Sequence, residues 1–289
     1  MNAGSKAKMK KINWRLSPVG ILVVIAVILF AAILMLESKD ETPVPVPVTQ
    51  TIPQATAAPY ITPDTPLGRL TVFAKMHRLP LSDWPSPLIE FLEKYPETES
   101  YVMNYPFYKD EQIPIDLTSC LGAEEMPLFL QWDARWGYTQ YSGELFAMSG
   151  CGPTSLAMVC LHLLQDAKFT PRYVADFSQT NGYYTTGMGS NWTLISEGGE
   201  QLGLDVEELM MTEYTVKEEL EAGNPIICVV GPGDFTYTGH FIVLAGVEDG
   251  LIRVNDPNSK INSQKLWDYE TIAKQVEGIW VCRLPQTAE

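Results

Sequence analysis

Hydrophobic and polar positions follow different rhythms along successive stretches of the chain, and each change of rhythm marks a new kind of segment. From Pro18 to Leu36 every residue is apolar, glycine or proline. A helix of that length, rising about 1.5 Å per residue, crosses a bilayer core. Residues 37–66 hold seven prolines, with Pro43, Pro45 and Pro47 alternating with valine. That is the mark of an extended stalk rising about 3 Å per residue. Between 67 and 125, Trp84, Leu88, Ile89, Phe91, Leu92, Tyr95, Tyr101, Val102 and Tyr105 are interleaved with acids. Ser86-Pro87 reads as a cap and first helical position, and Pro96 interrupts the run, so two short helices are predicted near 87–95 and 97–105. Their apolar residues are too few to bury one another. The segment is therefore expected to pack on the domain after it, as a structural prefix or a propeptide.

From 126 onward the pattern becomes that of a folded domain. The spacing predicts helices over 153–165, over 171–181 with Thr170 as cap, and over 191–202 with a stop at Gly203. A short helix is predicted from Thr215, where Thr215 and Glu218 match a capping box, to Gly223. Apolar runs then predict strands at 204–210, 225–231, 240–247, 251–256 and 279–284, with a helix near 268–276. Helices dominate first and strands afterwards, the order of an α+β domain.

Charge and composition narrow the possibilities. Residues 1–17 carry Lys6, Lys8, Lys10, Lys11 and Arg15 and no acid, so the net charge of -15 becomes -20 for the remainder. So acidic a body offers no nucleic-acid surface. The cations ahead of the apolar run, against Glu37, Asp40 and Glu41 behind it, place residues 1–17 in the cytoplasm and the rest outside the cell. The run is longer than a signal-peptide core and no small-x-small site closes it, so a retained single-pass anchor is read in preference to a cleaved signal. No CxxC pair, HExxH or P-loop pattern occurs, and no metal or cofactor site is assigned. Five cysteines, an odd number without dense spacing, make no disulfide framework. Cys228 and Cys282 fall in apolar strand-like runs and read as core.

Candidate chemistry begins at Ser149-Gly150-Cys151-Gly152-Pro153-Thr154-Ser155. Pro153 suits a first helical turn, because its missing N–H would have no partner there and its φ is already helical. Cys151 is then at or just before a helix N-terminus, where unpaired N–H groups and the helix dipole favour thiolate over thiol. The flanking glycines would let a substrate backbone come close. A nucleophilic cysteine needs an imidazole in reach, and the chain has three histidines. His162 lies on the same helix, about 16 Å along its axis, and His77 lies in the prefix. His240, at the head of the apolar run 241–246, is left.

A third group should orient that imidazole. Strands 240–247 and 251–256 are joined by Glu248-Asp249-Gly250. A three-residue loop with Gly250 left-handed sets Val247 opposite Leu251 and leaves Asp256 diagonal to His240 on the same face. A two-residue loop would turn Asp256 to the other face. Asn258 is the other candidate for the role, and Asn255-Asp256-Pro257-Asn258 is also a plain turn sequence. A developing oxyanion needs a donor besides the Cys151 N–H; Gln131, in Leu130-Gln131-Trp132-Asp133, is the candidate.

Gln131-Trp132-Asp133 with Trp136-Gly137-Tyr138, the 149–155 stretch, and Gly239-His240-Phe241 with Asp256 sixteen residues after the histidine together resemble the C39-like cysteine peptidases, a branch of the papain-like superfamily. The resemblance covers about residues 126–285. It implies a papain-like cysteine peptidase fold, with a helical half carrying the cysteine and an antiparallel sheet half carrying the histidine. Matched position by position, it implies Cys151 as nucleophile, His240 as general base and then acid, Asp256 as orienting residue and Gln131 in the oxyanion hole. The stretch ending in Tyr101-Val102-Met103-Asn104-Tyr105-Pro106 is similar to a segment found ahead of this domain in secreted bacterial members. In contrast to the branch that trims bacteriocin leaders, this sequence shows no transporter body and no ATPase.

The expected order is a cytoplasmic basic segment at 1–17, a transmembrane helix at 18–36, a Pro-rich linker at 37–66, a helical prefix at 67–125 and a C39-like peptidase domain at 126–289. The expected function is that of a membrane-anchored, extracellular cysteine peptidase. It would hydrolyse a peptide or amide bond in a peptide or protein substrate, a cell-wall peptide included, without a cofactor. Two other functions fit the same residues. One is acyl transfer or cell-wall amide cleavage at the same site; the other is an inactive papain-like domain that only binds a peptide or wall component.

Overall fold

Thr65-Pro66 opens a helix inside the proline-rich stretch. Thr65 accepts a hydrogen bond from the Gly68 N–H at 3.0 Å and Pro66 takes an early helical position, so α1 runs Pro66–His77. The sequence pattern predicts only the two later helices of the prefix, because Pro66 counts there as the end of the linker. The structure, a computed structural model, describes residues 63–285. The basic segment, the apolar run 18–36 and most of the Pro-rich linker lie outside the described residues. Among the described residues no helix is long and apolar enough to cross a membrane.

Helix α2 spans Ser86–Lys94 and α3 spans Glu99–Tyr108, with a 3-10 turn Pro96–Thr98 between them. Ser86 stands inside the first turn of α2 and caps nothing. Leu70, Trp84, Leu88, Leu92, Tyr101 and Val102 are buried in one cluster that also contains Tyr138 and Ala147. Tyr101 and Tyr138 stack at 4.4 Å, Tyr101 Oη donates to Gly137 O at 2.8 Å, and Tyr138 Oη donates to Tyr101 O at 2.8 Å. Residues beyond 126 thus complete the core that α1 to α3 cannot fill among themselves.

A hairpin of β1 (Gln140–Tyr141) and β2 (Glu144–Leu145) leads into the single turn α4 (Phe146–Ser149) and then α5 (Cys151–Leu164). Every residue of α5 from Gly152 to Leu161 is buried, which is where a helix apolar on all sides must sit. Helix α6 (Pro171–Asn181) starts at Thr170, whose Oγ1 accepts from the Tyr173 N–H at 3.0 Å, and stops at left-handed Gly182. The hairpin of β3 (Tyr184–Thr185) and β4 (Gly189–Ser190) comes next. The helix predicted over 191–202 is broken into a 3-10 turn at Trp192–Leu194 and α7 at Ser196–Leu202.

The remainder is β5 (Asp205–Glu208), α8 (Glu213–Glu221), β6 (Ile226–Val230), β7 (His240–Glu248), β8 (Leu251–Asn255), α9 (Lys260–Ser263), β9 (Leu266–Trp267), α10 (Tyr269–Ala273) and β10 (Val276–Arg283). The cap of α8 is Thr212, not Thr215: Thr212 Oγ1 accepts from the Thr215 N–H at 3.1 Å. Starting earlier puts Glu213 in the first turn, where the helix dipole favours an acid. Six strands form one antiparallel sheet in the order β5-β10-β6-β7-β8-β9. Ile227, Val229, Phe241 and Val243 share a core with Leu156 and Met158 of α5; Ile226, Cys228, Val230, Ile242 and Leu244 share another with Val216, Leu220 and Ile272. Burial on both faces explains why β6 and β7 read as unbroken apolar runs instead of alternating.

The β7–β8 connection corrects the expected loop. Glu248 pairs with Leu251 and Val247 with Ile252, so the loop is the two residues Asp249 and Gly250, at φ 51 and 77. Between Leu244 and Gly246 the register shifts, leaving Ala245 as an extra residue, and beyond it Val243 pairs with Asn255. The offset beyond the bulge is the one a three-residue loop would have given.

Candidate active site

Three segments far apart in sequence meet at the end of the sheet where β7 begins and β8 ends. Cys151 is the first residue of α5, with Gly150 ahead of it, so the N–H groups of Cys151 and Gly152 have no helical acceptor. The packing of the protein itself requires both flanking glycines. A Cβ on Gly150 would stand 2.5 Å from the Phe146 ring, and one on Gly152 would stand 2.5 Å from Ser190 Oγ. Their absence lets α4 and the β3–β4 hairpin close on the helix start. Gly239 is the open glycine: a Cβ there meets nothing within 4 Å.

His240 is 6% exposed and Asp256 is 0% exposed. His240 Nε2 lies 2.8 Å from Asp256 Oδ1, which leaves Nδ1 for the hydrogen bond between the ring and the Cys151 thiol. Asp256 also accepts from the Asn258 N–H at 2.8 Å and from Asn262 Nδ2 at 3.0 Å. Asn258 therefore holds Asp256 through its backbone and makes no bond to the imidazole itself. Burial pushes the Cys151 thiol up, but the hydrogen bond and charge of His240, with the N–H groups of Phe241 and Gly152, bring it below the ordinary thiol value. Burial lowers His240, and the charge and hydrogen bond of Asp256, joined by Cys151, outweigh it and raise the imidazole to about 10. Both shifts run toward the charged forms, so each partner favours the thiolate–imidazolium pair.

Gln131 is brought to the same cleft. Its backbone N–H donates to Pro257 O at 2.7 Å and Trp132 Nε1 donates to Asn258 O at 3.1 Å, which straps this segment to the loop carrying Asp256. Gln131 Nε2 donates to Ala147 O at 2.7 Å, and an amide nitrogen has a second hydrogen to give. The remaining cysteines and histidines stay apart from this cluster. Cys160, Cys228 and Cys282 are buried, and burial pushes all three thiols well up, Cys282 to about 12. All five cysteines are free. His77 packs on Phe73 and Phe107, and among the described residues no group of His, Cys, Asp or Glu is arranged to hold a metal ion.

Residues 124–286 match the Peptidase_C39 like family. The chain belongs to that family. Similar solved structures include the peptidase domain of Streptococcus ComA, a bi-functional ABC transporter involved in a quorum-sensing pathway. It is 19% identical over 55% of this chain and 99% of that one, with a TM-score of 0.40. A C39-like peptidase from Bacillus anthracis is 14% identical over 60% of this chain and 98% of that one, with a TM-score of 0.36. No curated protein matches the chain.

In this C39-like chain one wall of the cleft comes from the prefix, which the sequence did not reveal. Pro87, Glu90, Phe91, Lys94 and Tyr95 line a cleft of about 390 Å³ together with Cys151 and His240. The Lys94 ammonium lies 5.3 Å from the Tyr95 ring and 4.9 Å from the Tyr237 ring, joining the end of α2 to the loop before β7. The apolar spacing of Leu88, Phe91 and Leu92 signals that α2 has a buried face. Nothing in that spacing says that its neighbouring face looks onto a thiol some sixty residues later.

Proposed function

We propose that this chain is a cysteine peptidase in which Cys151 attacks a peptide or amide carbonyl, His240 carries the proton, Asp256 orients the imidazole and Gln131 helps to hold the oxyanion. The observation that carries this reading is the buried 2.8 Å bond from His240 Nε2 to Asp256 Oδ1 with the Cys151 thiol at the other ring nitrogen. Membership of the Peptidase_C39 like family supports the same class of chemistry.

The reaction follows from the charges. The Cys151 thiolate adds to the carbonyl carbon, and the negative charge moves to the carbonyl oxygen beside the Cys151 N–H and the second hydrogen of Gln131 Nε2. Collapse of that intermediate breaks the C–N bond as His240 gives its proton to the departing amine. Neutral His240 then takes a proton from water, which attacks the thioester, releases the acid and restores the thiolate. Asp256, held by three donors, keeps Nδ1 pointed at sulfur throughout and stabilises the imidazolium. The apolar run 18–36 with its flanking charges supports a single membrane anchor and a catalytic domain outside the cell, acting on a peptide or protein substrate.

The test is labelling with a thiol-reactive peptide electrophile. Wild type should be labelled at Cys151 and Cys151→Ala should not; equal labelling of both removes the enzyme reading and leaves a peptide-binding domain. For the topology, protease added to intact cells should digest the C-terminal domain. Protection of that domain would overturn the outward orientation.

A further inference from the structure

Glu97 lies in the 3-10 turn between α2 and α3, far from Cys151 in sequence and outside the segment that matches the family. Its two carboxylate oxygens reach a segment late in the chain. Oε1 accepts from Ser259 Oγ, 162 residues away, and Oε2 accepts from the Ile261 N–H at 2.9 Å. Both partners belong to the start of α9, which has only four residues. A helix so short has no stability of its own, so its position must be imposed from outside. Ser259 Oγ also caps α9 by accepting from the Asn262 N–H at 3.0 Å.

The other end of α9 holds the acid. Asn262 Nδ2 donates to Asp256 Oδ2 at 3.0 Å, and the Asp256 N–H donates to Ser263 Oγ at 2.9 Å. Asp256 Oδ1 in turn faces His240 Nε2. A continuous set of hydrogen bonds therefore runs from Glu97 through Ser259 and Ile261 to Asn262, Asp256, His240 and Cys151. We infer that Glu97 is a positioning residue for the Cys151–His240 pair, acting through α9 on the Asp256 carboxylate. The inference rests on the catalytic reading of that pair. It also makes the prefix a permanent part of the enzyme, because releasing residues 67–125 as a propeptide would take Glu97 away.

Glu99 supplies an internal control. Two residues on, it makes a bidentate pair with Arg69 of α1 and touches nothing in α9. Loosening the prefix by way of Glu99 should leave Asp256 alone. The titratable groups nearest the pair are Asp256 itself, Tyr95 and Tyr141, with Glu90, Lys94 and Glu144 on the cleft walls. All of these are unchanged in the Glu97 and Glu99 variants.

The experiment measures the rate at which iodoacetamide alkylates Cys151 in the full chain, read by mass spectrometry across pH, for wild type, Glu97→Ala, Glu97→Gln, Glu99→Ala and His240→Ala. Glu97→Ala should move the acid limb up by about one pH unit, which is about a tenfold slower reaction at pH below the limb. Glu97→Gln should fall between, since one amide oxygen keeps one of the two bonds. Glu99→Ala should retain the wild-type limb even where its melting temperature drops. A Glu97→Ala profile that overlays wild type while His240→Ala moves overturns the positioning role alone, as does an equal shift in Glu99→Ala. If His240→Ala moves nothing, the catalytic reading fails and this inference with it. Should Glu97→Ala not fold, Glu97→Gln and Ser259→Ala decide by the same limb.

Discussion

His240 and Asp256 are sixteen residues apart and in contact at 2.8 Å, and a single unpaired residue, Ala245, makes their strands line up so that they meet. The Asp249-Gly250 turn, with both residues at positive φ, is the tight two-residue kind whose twist matches the strands it joins. Counted from that turn without a break, Val243 would face Asp256, and the acid would fall on the opposite face from the imidazole. The bulge at Ala245 shifts the pairing by one, so that Val243 faces Asn255. Asp256 then leaves the strand on the same side as His240.

That contact carries a prediction about Asp256. Asp256→Ala leaves the Asn258 N–H, the Asn262 amide and the imidazole without their acceptor, at a cost of about 1–3 kcal/mol in stability. Turnover should fall by about 10²–10⁴-fold, because the imidazole loses its orientation and the imidazolium its counter-charge. Asp256→Asn should keep most of the stability and still lose the turnover. Denaturant unfolding and peptidase rates measured on both variants check this, and full activity in Asp256→Asn would show that the carboxylate is not needed.

The pH dependence follows from the direction of the two shifts. Cys151 titrates below the ordinary thiol value, so activity should rise with pH through a value lower than that of an ordinary thiol. His240 titrates at about 10, so proton donation to the amine should fail only as pH rises through that region. His240→Ala leaves burial opposed only by the N–H groups of Phe241 and Gly152, so the sulfur's pKa rises, and alkylation of Cys151 at mildly acidic pH should slow by about tenfold or more. In wild type Cys151 should react ahead of Cys160, Cys228 and Cys282, whose burial holds them as thiols. First labelling at one of those three would contradict the assignment.

Gly152 should tolerate no side chain. A Cβ would stand 2.5 Å from Ser190 Oγ and 2.7 Å from Ser190 Cβ, so Gly152→Ala is expected to cost about 1–3 kcal/mol. Pairing it with Ser190→Gly, which removes the atoms in the way, should recover part of that loss. The check is a double-mutant cycle on melting temperature. Strictly additive losses would mean that the crowding at Ser190 is not the cause.

Removing residues before 126 should destabilise the domain. Tyr138 and Ala147 are buried against α1 to α3, and the cluster they share with Leu70, Trp84, Leu88, Leu92 and Val102 would be lost with the prefix. A chain of residues 126–289 is therefore expected to unfold at lower temperature and to work more slowly than one of residues 63–289. Equal stability and activity would show the packing to be dispensable, and higher activity would show it to be inhibitory.

How much of this was legible in the chain differs by element. The helix start at Thr170-Pro171 was plain, because capping is a local matter of one side chain and one N–H three residues on; Ser86-Pro87 gave nearly the right start but a cap that Ser86 does not make. Thr65-Pro66 carries the same signal, yet neighbouring prolines mask it. At α8 the sequence offers two threonines, and only the built helix shows that Thr212 takes the N–H of Thr215. Buried strands declared themselves as apolar runs. Their order in the sheet did not, since β10 inserts between β5 and β6 through pairings that no local pattern encodes.

For the site, the chain by itself determined which residue types are present and that Cys151 opens a helix, because a proline two residues later fixes the backbone there. It left Asp256 and Asn258 as rivals, since hairpin register depends on every residue counted between the pair, and one bulge reverses the answer. Tertiary structure alone brought Glu97 to Ser259 and Ile261, and Phe91, Lys94 and Tyr95 to the edge of the cleft. Those contacts join prefix and domain across more than fifty residues. Spacing rules act within a helix turn or a strand pair, and contacts between distant segments are set only when the whole apolar surface is buried at once.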